Sequence, residues 1–295
     1  MIERAFEYIR IALNPIACGR ERARLRASVE KKDRRLEDLK GKVRALRSSN
    51  AKLQAHIELV RELYPPDPEN RCLNFGAGNW YYPKWENIDL YADEFYTDYK
   101  VDLRLQKPSE LPDGCARLVF CSHLLEHLPD EACVSCLREF HRLLKPEGVC
   151  RISVPDMDKA LEAYRDNNAV FFDEGGGRFI GDSIEAKLVN FFASYSKDDY
   201  RGGPIVPSDL VRQKLQSLGK YEFVKWCVSL IPSDVPYRAH VNGYDFDKLR
   251  SFLEIAGFSQ VVRSSYRNSS IPLLREKAFD NRPIISLFVE AFRGQ

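Results

Sequence analysis

The sequence predicts an α/β protein: a mostly parallel sheet carried behind an N-terminal coiled-coil helix. Three observations predict it. Between Arg71 and Asp156, short apolar segments each end in a Gly-rich or acidic turn: residues 72–75 before Gly76-Ala77-Gly78-Asn79, residues 87–90 around Asp89, Val101-Asp102-Leu103, and residues 118–121 before Ser122-His123. Strand and helix patterns then alternate through Pro155, as parallel strands require. Upstream, apolar residues recur in an unbroken heptad from Leu25 to Tyr64.

Taken in order, residues 1–14 read as a short amphipathic helix with Ile2, Phe6, Ile9 and Leu13 on one face, ended by Pro15 within a first segment 1–18. Such a helix packs against protein or lies flat on a membrane. Residues 19–64 form the coiled coil. Val29, Leu36, Val43, Asn50, Ile57 and Tyr64 hold one core position, and Leu25, Lys32, Leu39, Leu46, Leu53 and Val60 the other. β-branched or Leu residues at the first position with Leu at the second favour two parallel strands, and a lone Asn there fixes register. A homodimer is therefore expected, with Asn50 as its specifier; the alternative is one long helix lying on its own domain. At about 1.5 Å per residue the arm spans roughly 60 Å. Pro65-Pro66-Asp67-Pro68, within the linker 65–70, stops the helix and makes the linker stiff and extended.

The body, 71–295, begins with the strand-and-turn run. Residues 131–144 then carry Cys136, Phe140, Leu143 and Leu144 at helical spacing, with Lys145-Pro146-Glu147-Gly148 as the stop before a strand at 149–154. Residues 165–239 break the rhythm. Gly175-Gly176-Gly177 and Gly202-Gly203-Pro204 read as mobile punctuation around aromatic helical pieces such as 189–195, so this insertion is expected to be either a lid over the strand ends or a packing module. Residues 244–256 read as a helix ended by Gly257, followed by strands at 260–263 and 284–292.

The turns carry the chemistry. A strand running into Gly-x-Gly lets backbone pass close to a ligand, and a carboxylate at the next strand tip can accept both hydroxyls of a ribose. Carboxyl ends of neighbouring strands share one crevice. With these residues the chain resembles the class I S-adenosylmethionine-dependent methyltransferases. The resemblance implies a Rossmann-like sheet with an antiparallel last strand and S-adenosylmethionine as cofactor. It implies that Asn74, Gly76, Ala77, Gly78 and Asn79 face the methionine part, Asp89 with Leu90 the ribose, and Asp102 with Leu103 the adenine. Ser122-His123-Leu124-Leu125-Glu126-His127 is similar to the turn that faces the transferred methyl. Residues 240–258 and 282–291 are similar to closing segments of methyltransferases predicted for bacterial surface-polysaccharide synthesis. The sequence departs from the family in having Asn74 where an acid is usual, no third glycine near Trp80, and only about ten residues between Gly78 and Asp89 where about twenty are standard. A crossover helix cannot fit there, and Trp80-Tyr81-Tyr82-Pro83-Lys84-Trp85 is expected to form an aromatic loop. A nicotinamide site would need glycine where Tyr81 stands.

Methyl transfer asks mainly that the acceptor be held behind the methyl, and a hydroxyl acceptor must also lose its proton. His123, His127, Asp156 and His240 are the candidate proton acceptors. The resemblance implies a hydroxyl on a sugar or glycan; a scaffold that has lost catalysis is the alternative from another class. A nucleic-acid substrate is disfavoured, because the Asn/Asp-Pro-Pro-aromatic motif of amino-methylating enzymes is absent. Net charge is only +2, but residues 1–64 hold 16 Lys/Arg against 9 Asp/Glu. This basic arm fits either a membrane surface or plain solvation. The 8 cysteines are scattered and read as free thiols. Cys133-Val-Ser-Cys136 lacks a second ligand pair, so no metal site is read. With no signal sequence or long apolar run, a cytoplasmic location is expected, with the arm at the inner membrane face.

Overall fold

A computed structural model describes residues 65–78, 80–90, 96–174, 181–197, 200–235, 239–280 and 282–295, with isolated positions between 31 and 63. The chain divides into two units, 1–60 and 61–295, and the second holds the sheet and the crevice at its strand tips. The amphipathic segment 1–14, the heptad core positions with Asn50, Asn79 and the triple glycine 175–177 lie outside the described residues, Ile57 apart.

A seven-stranded sheet organises the unit, in the order β3-β2-β1-β4-β5-β9-β8. Its strands are β1 (Arg71–Phe75), β2 (Trp85–Asp89), β3 (Tyr99–Lys100), β4 (Ala116–Ser122), β5 (Leu144–Pro155), β8 (Gln260–Ser264) and β9 (Ser286–Phe292). The first five are mutually parallel, and β9 runs antiparallel to both β5 and β8. This is the α/β, Rossmann-like arrangement expected, with its reversed last strand.

Two-residue alternation sends side chains to opposite faces. Leu73, Phe75, Val119, Cys121, Cys150, Ile152 and Val289 enter a core with helices α1 (Asp130–Leu143) and α7 (Phe246–Ala256). Helix α7 starts where Asp245 accepts a hydrogen bond from the Lys248 N–H at 2.8 Å and stops at Gly257, whose φ of 108° suits glycine. Cys133 and Cys136 are buried in this core, and the seven described cysteines are free thiols.

Among the described residues, the opposite face has no crossover helix between β1 and β2. Residues 76–84 join β1 to β2 without one, and the aromatic loop expected there packs on the sheet instead. Trp80 stacks on Tyr82 at 5.9 Å between centroids, and Phe279 lies 5.4 Å from Trp80, 5.3 Å from Trp85 and 5.5 Å from Phe120. Phe279 comes from the segment 265–280 between β8 and β9, which covers this face. Arg151 of β5, wholly buried, pins that segment. Its guanidinium donates to Asp280 at 2.7 and 3.2 Å, to Glu290 at 3.2 Å, and to the carbonyls of Ser265 and Asn268 at 3.1 and 3.2 Å.

The insertion is a helical module with its own core. Helices α2 (Met157–Arg165), α3 (Ala169–Glu174), α4 (Ile184–Ala193), α5 (Ser208–Ser217) and α6 (Lys220–Ser229), with the hairpin β6 (Tyr195–Lys197) and β7 (Tyr200–Gly202), gather Phe171, Phe172, Phe191, Phe192 and Phe223. One expectation is corrected: Gly202-Gly203-Pro204 is no loose punctuation. An added Cβ at Gly203 would meet Asn190 Cα at 2.9 Å, so glycine there permits close packing.

Arg151→Ala would strand two buried carboxylates, and chemical denaturation should show a loss of about 3–5 kcal/mol. A loss below about 1 kcal/mol, the scale of a surface ion pair, would mean that the segment 265–280 is held by other contacts.

Candidate functional site

The cofactor half is built at the tips of β1 and β2. Gly76 (φ 69°) and Gly78 (φ 55°) occupy left-handed conformations, and the chain curls back so that the Gly76 N–H reaches the Ile88 carbonyl at 2.9 Å. The Gly78 N–H donates to Asp89 Oδ2 at 2.8 Å, tying the glycine turn to the carboxylate at the next strand tip. The two glycines differ in purpose. A Cβ at Gly76 would lie 2.9 Å from Leu124 Cβ, so that glycine admits a side chain from the turn after β4. A Cβ at Gly78 would meet nothing within 4 Å: here the backbone borders open space. Ala77 is buried between them. Leu90, directly after Asp89, is half-buried. This turn fits an adenosyl ligand, because open space, bare backbone and a strand-tip carboxylate meet there.

Other expected cofactor residues are engaged by the protein itself. Asn74 is buried, and its amide donates to Asn87 Oδ1 at 3.3 Å; Asn87 in turn donates to the Trp80 carbonyl at 2.7 Å. The amide where an acid was expected thus braces the short aromatic loop. Asp102 caps a single 3-10 turn, Leu103–Leu105, and takes the Arg104 guanidinium at 2.8 Å on each oxygen. The hydrogen bonds from Arg104 hold its carboxyl below the usual range. Leu103 packs against the main core. Ser122 accepts a hydrogen bond from Ser153 at 2.8 Å across β4 and β5.

The turn after β4 assembles the other half. His123 has φ of 53°, and both ring nitrogens are engaged: Nδ1 lies 3.1 Å from Glu126 Oε1 and Nε2 2.8 Å from Ser286 Oγ. Ser286 gives its own proton to the Arg282 carbonyl at 2.7 Å, so its oxygen is the acceptor toward His123. His127 and His240 meet with ring centroids 5.0 Å apart. The returning chain brings His240 there, because Val241 N–H donates to the Glu126 carbonyl at 2.8 Å, Asn242 to the Leu128 carbonyl at 3.0 Å, and Tyr244 OH to the Leu125 carbonyl at 3.1 Å. His127 Nδ1 lies 2.8 Å from the Ala239 carbonyl and His240 Nδ1 3.0 Å from the Phe191 carbonyl of α4. A carbonyl only accepts, so each Nδ1 carries the proton and each Nε2 keeps a lone pair in the neutral ring.

Glu126 is the residue that sequence reasoning missed. It is 1% exposed, Oε1 is held by His123, and Oε2 has no hydrogen-bond partner among the described residues. Burial alone would raise its carboxyl, but the His123 hydrogen bond and the nearby His127 and His240 draw it down to about 2. Burial, with His127 close by, pushes His240 down to about 4. Glu126 stands within the resembling turn, yet its role depends on His240, which only the folded chain places beside it. Asp156 stands apart from this cluster. It caps α2 through the Asp158 and Lys159 amides at 3.1 and 3.3 Å, faces Arg263 at 3.5 Å, and burial raises its carboxyl.

The family profile of a methyltransferase domain matches residues 88–152, from β2 through β5. No curated protein matches the chain. Among solved structures, an S-adenosylmethionine-dependent methyltransferase from Mesorhizobium loti is 16% identical, covering 80% of this chain and 96% of that one at a TM-score of 0.33. The S-adenosylmethionine-dependent methyltransferase SibL in its apo form is 14% identical, covering 77% and 51% at 0.37, and PigF with SAH is 13% identical, covering 82% and 56% at 0.38. The chain spans about half the length of the latter two. Among the described residues no helix is long and apolar enough to cross a membrane. Residues 88–152 are thus similar to a methyltransferase domain.

Proposed function

We propose that this chain transfers a methyl group from S-adenosylmethionine to a hydroxyl of a sugar or glycan, in the synthesis of cell-surface polysaccharide. The bond from the Gly78 amide to Asp89 beside open space is the observation that carries the cofactor half. When bound, the cofactor supplies an electrophilic methyl on sulfur. Asp89 would hold the ribose hydroxyls, the backbone of 76–78 the methionine part, and Leu103 one side of the adenine. Asn74 and Asp102 would shape and brace that site, since their polar groups are already engaged.

The acceptor is assigned to the Glu126 end. Its hydroxyl would be received by Glu126, His127 and His240, whose free lone pairs suit a proton-bearing oxygen. The helical module orients His240 through the Phe191 carbonyl and would bound the acceptor on that side. Full engagement of His123 and Asp156 leaves them as positioning groups. The heptad would pair two copies in parallel, with the basic arm at the inner face of the membrane; nucleic acid is not an expected partner. The internal engagement of Asn74 and Asp102 favours a second reading, a scaffold of the same fold without turnover.

Titration calorimetry with S-adenosylmethionine separates the two readings. Binding that weakens by roughly 1.5–3 kcal/mol in Asp89→Ala, the scale of a hydrogen bond to a charged group, is expected of the enzyme; no binding by the wild type would favour the scaffold. His127→Ala should leave that affinity unchanged while lowering turnover on the acceptor by on the order of 100-fold or more. Deleting the gene should remove a methyl group from envelope glycans, as read by mass spectrometry of their sugars. An unchanged methylation pattern would count against the sugar acceptor.

A further inference from the structure

We infer that Glu126, His127 and His240 form a binding site for one divalent transition-metal ion of the zinc class. One ligand atom from each of the three lies within 4.8 Å of the other two. Ligands held about 2.1 Å from an ion are at most about 4.2 Å apart, so small side-chain rotations close the set. The protonation pattern is that of a coordination sphere. Each imidazole spends its Nδ1 proton on a backbone carbonyl, Ala239 for His127 and Phe191 for His240, which is the outer contact that fixes a metal-binding histidine with Nε2 bare.

Glu126 supplies the independent sign. Its side chain is buried, His123 occupies Oε1, and Oε2 is left without a partner among the described residues. A buried carboxylate oxygen with no donor is costly; a cation beside it removes that cost. Three ligand groups thus meet here, and each histidine ring keeps a bare Nε2. Two histidines and one carboxylate leave coordination positions for water or a substrate oxygen, as in catalytic rather than structural sites. Histidine spacing along the chain hides the set, because His240 joins only when residues 240–244 dock on the turn after β4. If the acceptor docks at this end as proposed above, the ion would take the acceptor oxygen in place of the three side chains and make its hydroxyl more acidic, the proton leaving to solvent; this use rests on that reading, whereas binding of the ion does not.

The test uses the full chain, stripped with a chelator, and titrated calorimetrically with zinc chloride; cobalt chloride serves as the spectroscopic probe. One equivalent of zinc should bind, and the cobalt form should show ligand-field bands without a thiolate charge-transfer band, which excludes the free cysteines Cys72 and Cys115. His127→Ala and His240→Ala should each weaken zinc binding by at least about 100-fold, with unchanged circular dichroism. His127→Gln, which keeps the side-chain volume closer, repeats the test should His127→Ala unfold. Absence of zinc binding by the wild type, equal binding in wild type and variants, or a thiolate spectrum would overturn the inference. Since the readout is metal binding alone, a failure to methylate a chosen sugar would bear on the acceptor reading and not on the site.

Discussion

Nine residues, 76–84, connect the parallel strands β1 and β2, and the rest of the unit accommodates that brevity. A parallel crossover usually needs a dozen residues or more and brings a helix to cover the sheet. Without that helix, one sheet face must be sealed otherwise. Trp80 and Tyr82 from the connection itself, Trp85 and Phe120 from the strands, and Phe279 from the far end of the chain form the seal. Phe279 is available only because the segment 265–280 is drawn onto the sheet, and Arg151 draws it there through Asp280 and Glu290. The same short connection forces the glycine turn back over β2, which places the Gly78 amide on Asp89. Fold closure and cofactor geometry are therefore one constraint.

At the other end of the crevice one carboxylate does similar work. The backbone carbonyl of Glu126 receives Val241 and so anchors the returning chain, while its side chain holds His123 through Oε1 and lies beside His127 and His240. The histidine rings are oriented from two directions, by the chain at Ala239 and by the helical module at Phe191. That module, with its phenylalanine core, is a packing unit that also orients the His240 ring through the Phe191 carbonyl. Of the two expectations for the insertion, the packing module is what its own core shows.

Local chemistry made much of this legible in the sequence. Glycines ahead of an acid foretold the turn at Gly78 and Asp89; helical spacing and Gly257 foretold α1 and α7; counting residues to Asp89 foretold a loop in place of a helix. What stayed hidden depends on which partner each side chain meets in the folded chain. Gly76 is glycine to admit Leu124, Asn74 is an amide to meet Asn87, and Asp102 serves Arg104, none of which a motif announces. Arg151 stands in an otherwise apolar strand, and only the folded chain brings Asp280 and Glu290 to it. Glu126 had no visible role because His240 arrives from over a hundred residues away.

The central claim is that the tips of β1, β2 and β4 together cradle the adenosyl sulfonium. Hydrogen–deuterium exchange of the full chain with and without S-adenosylhomocysteine tests it most directly, because backbone amides of the glycine turn form the site. Slowed exchange at 76–90 and 121–128, with 208–229 unchanged, is the result expected. Unchanged exchange at 76–90 under saturating ligand, or protection confined to the helical module, would contradict it.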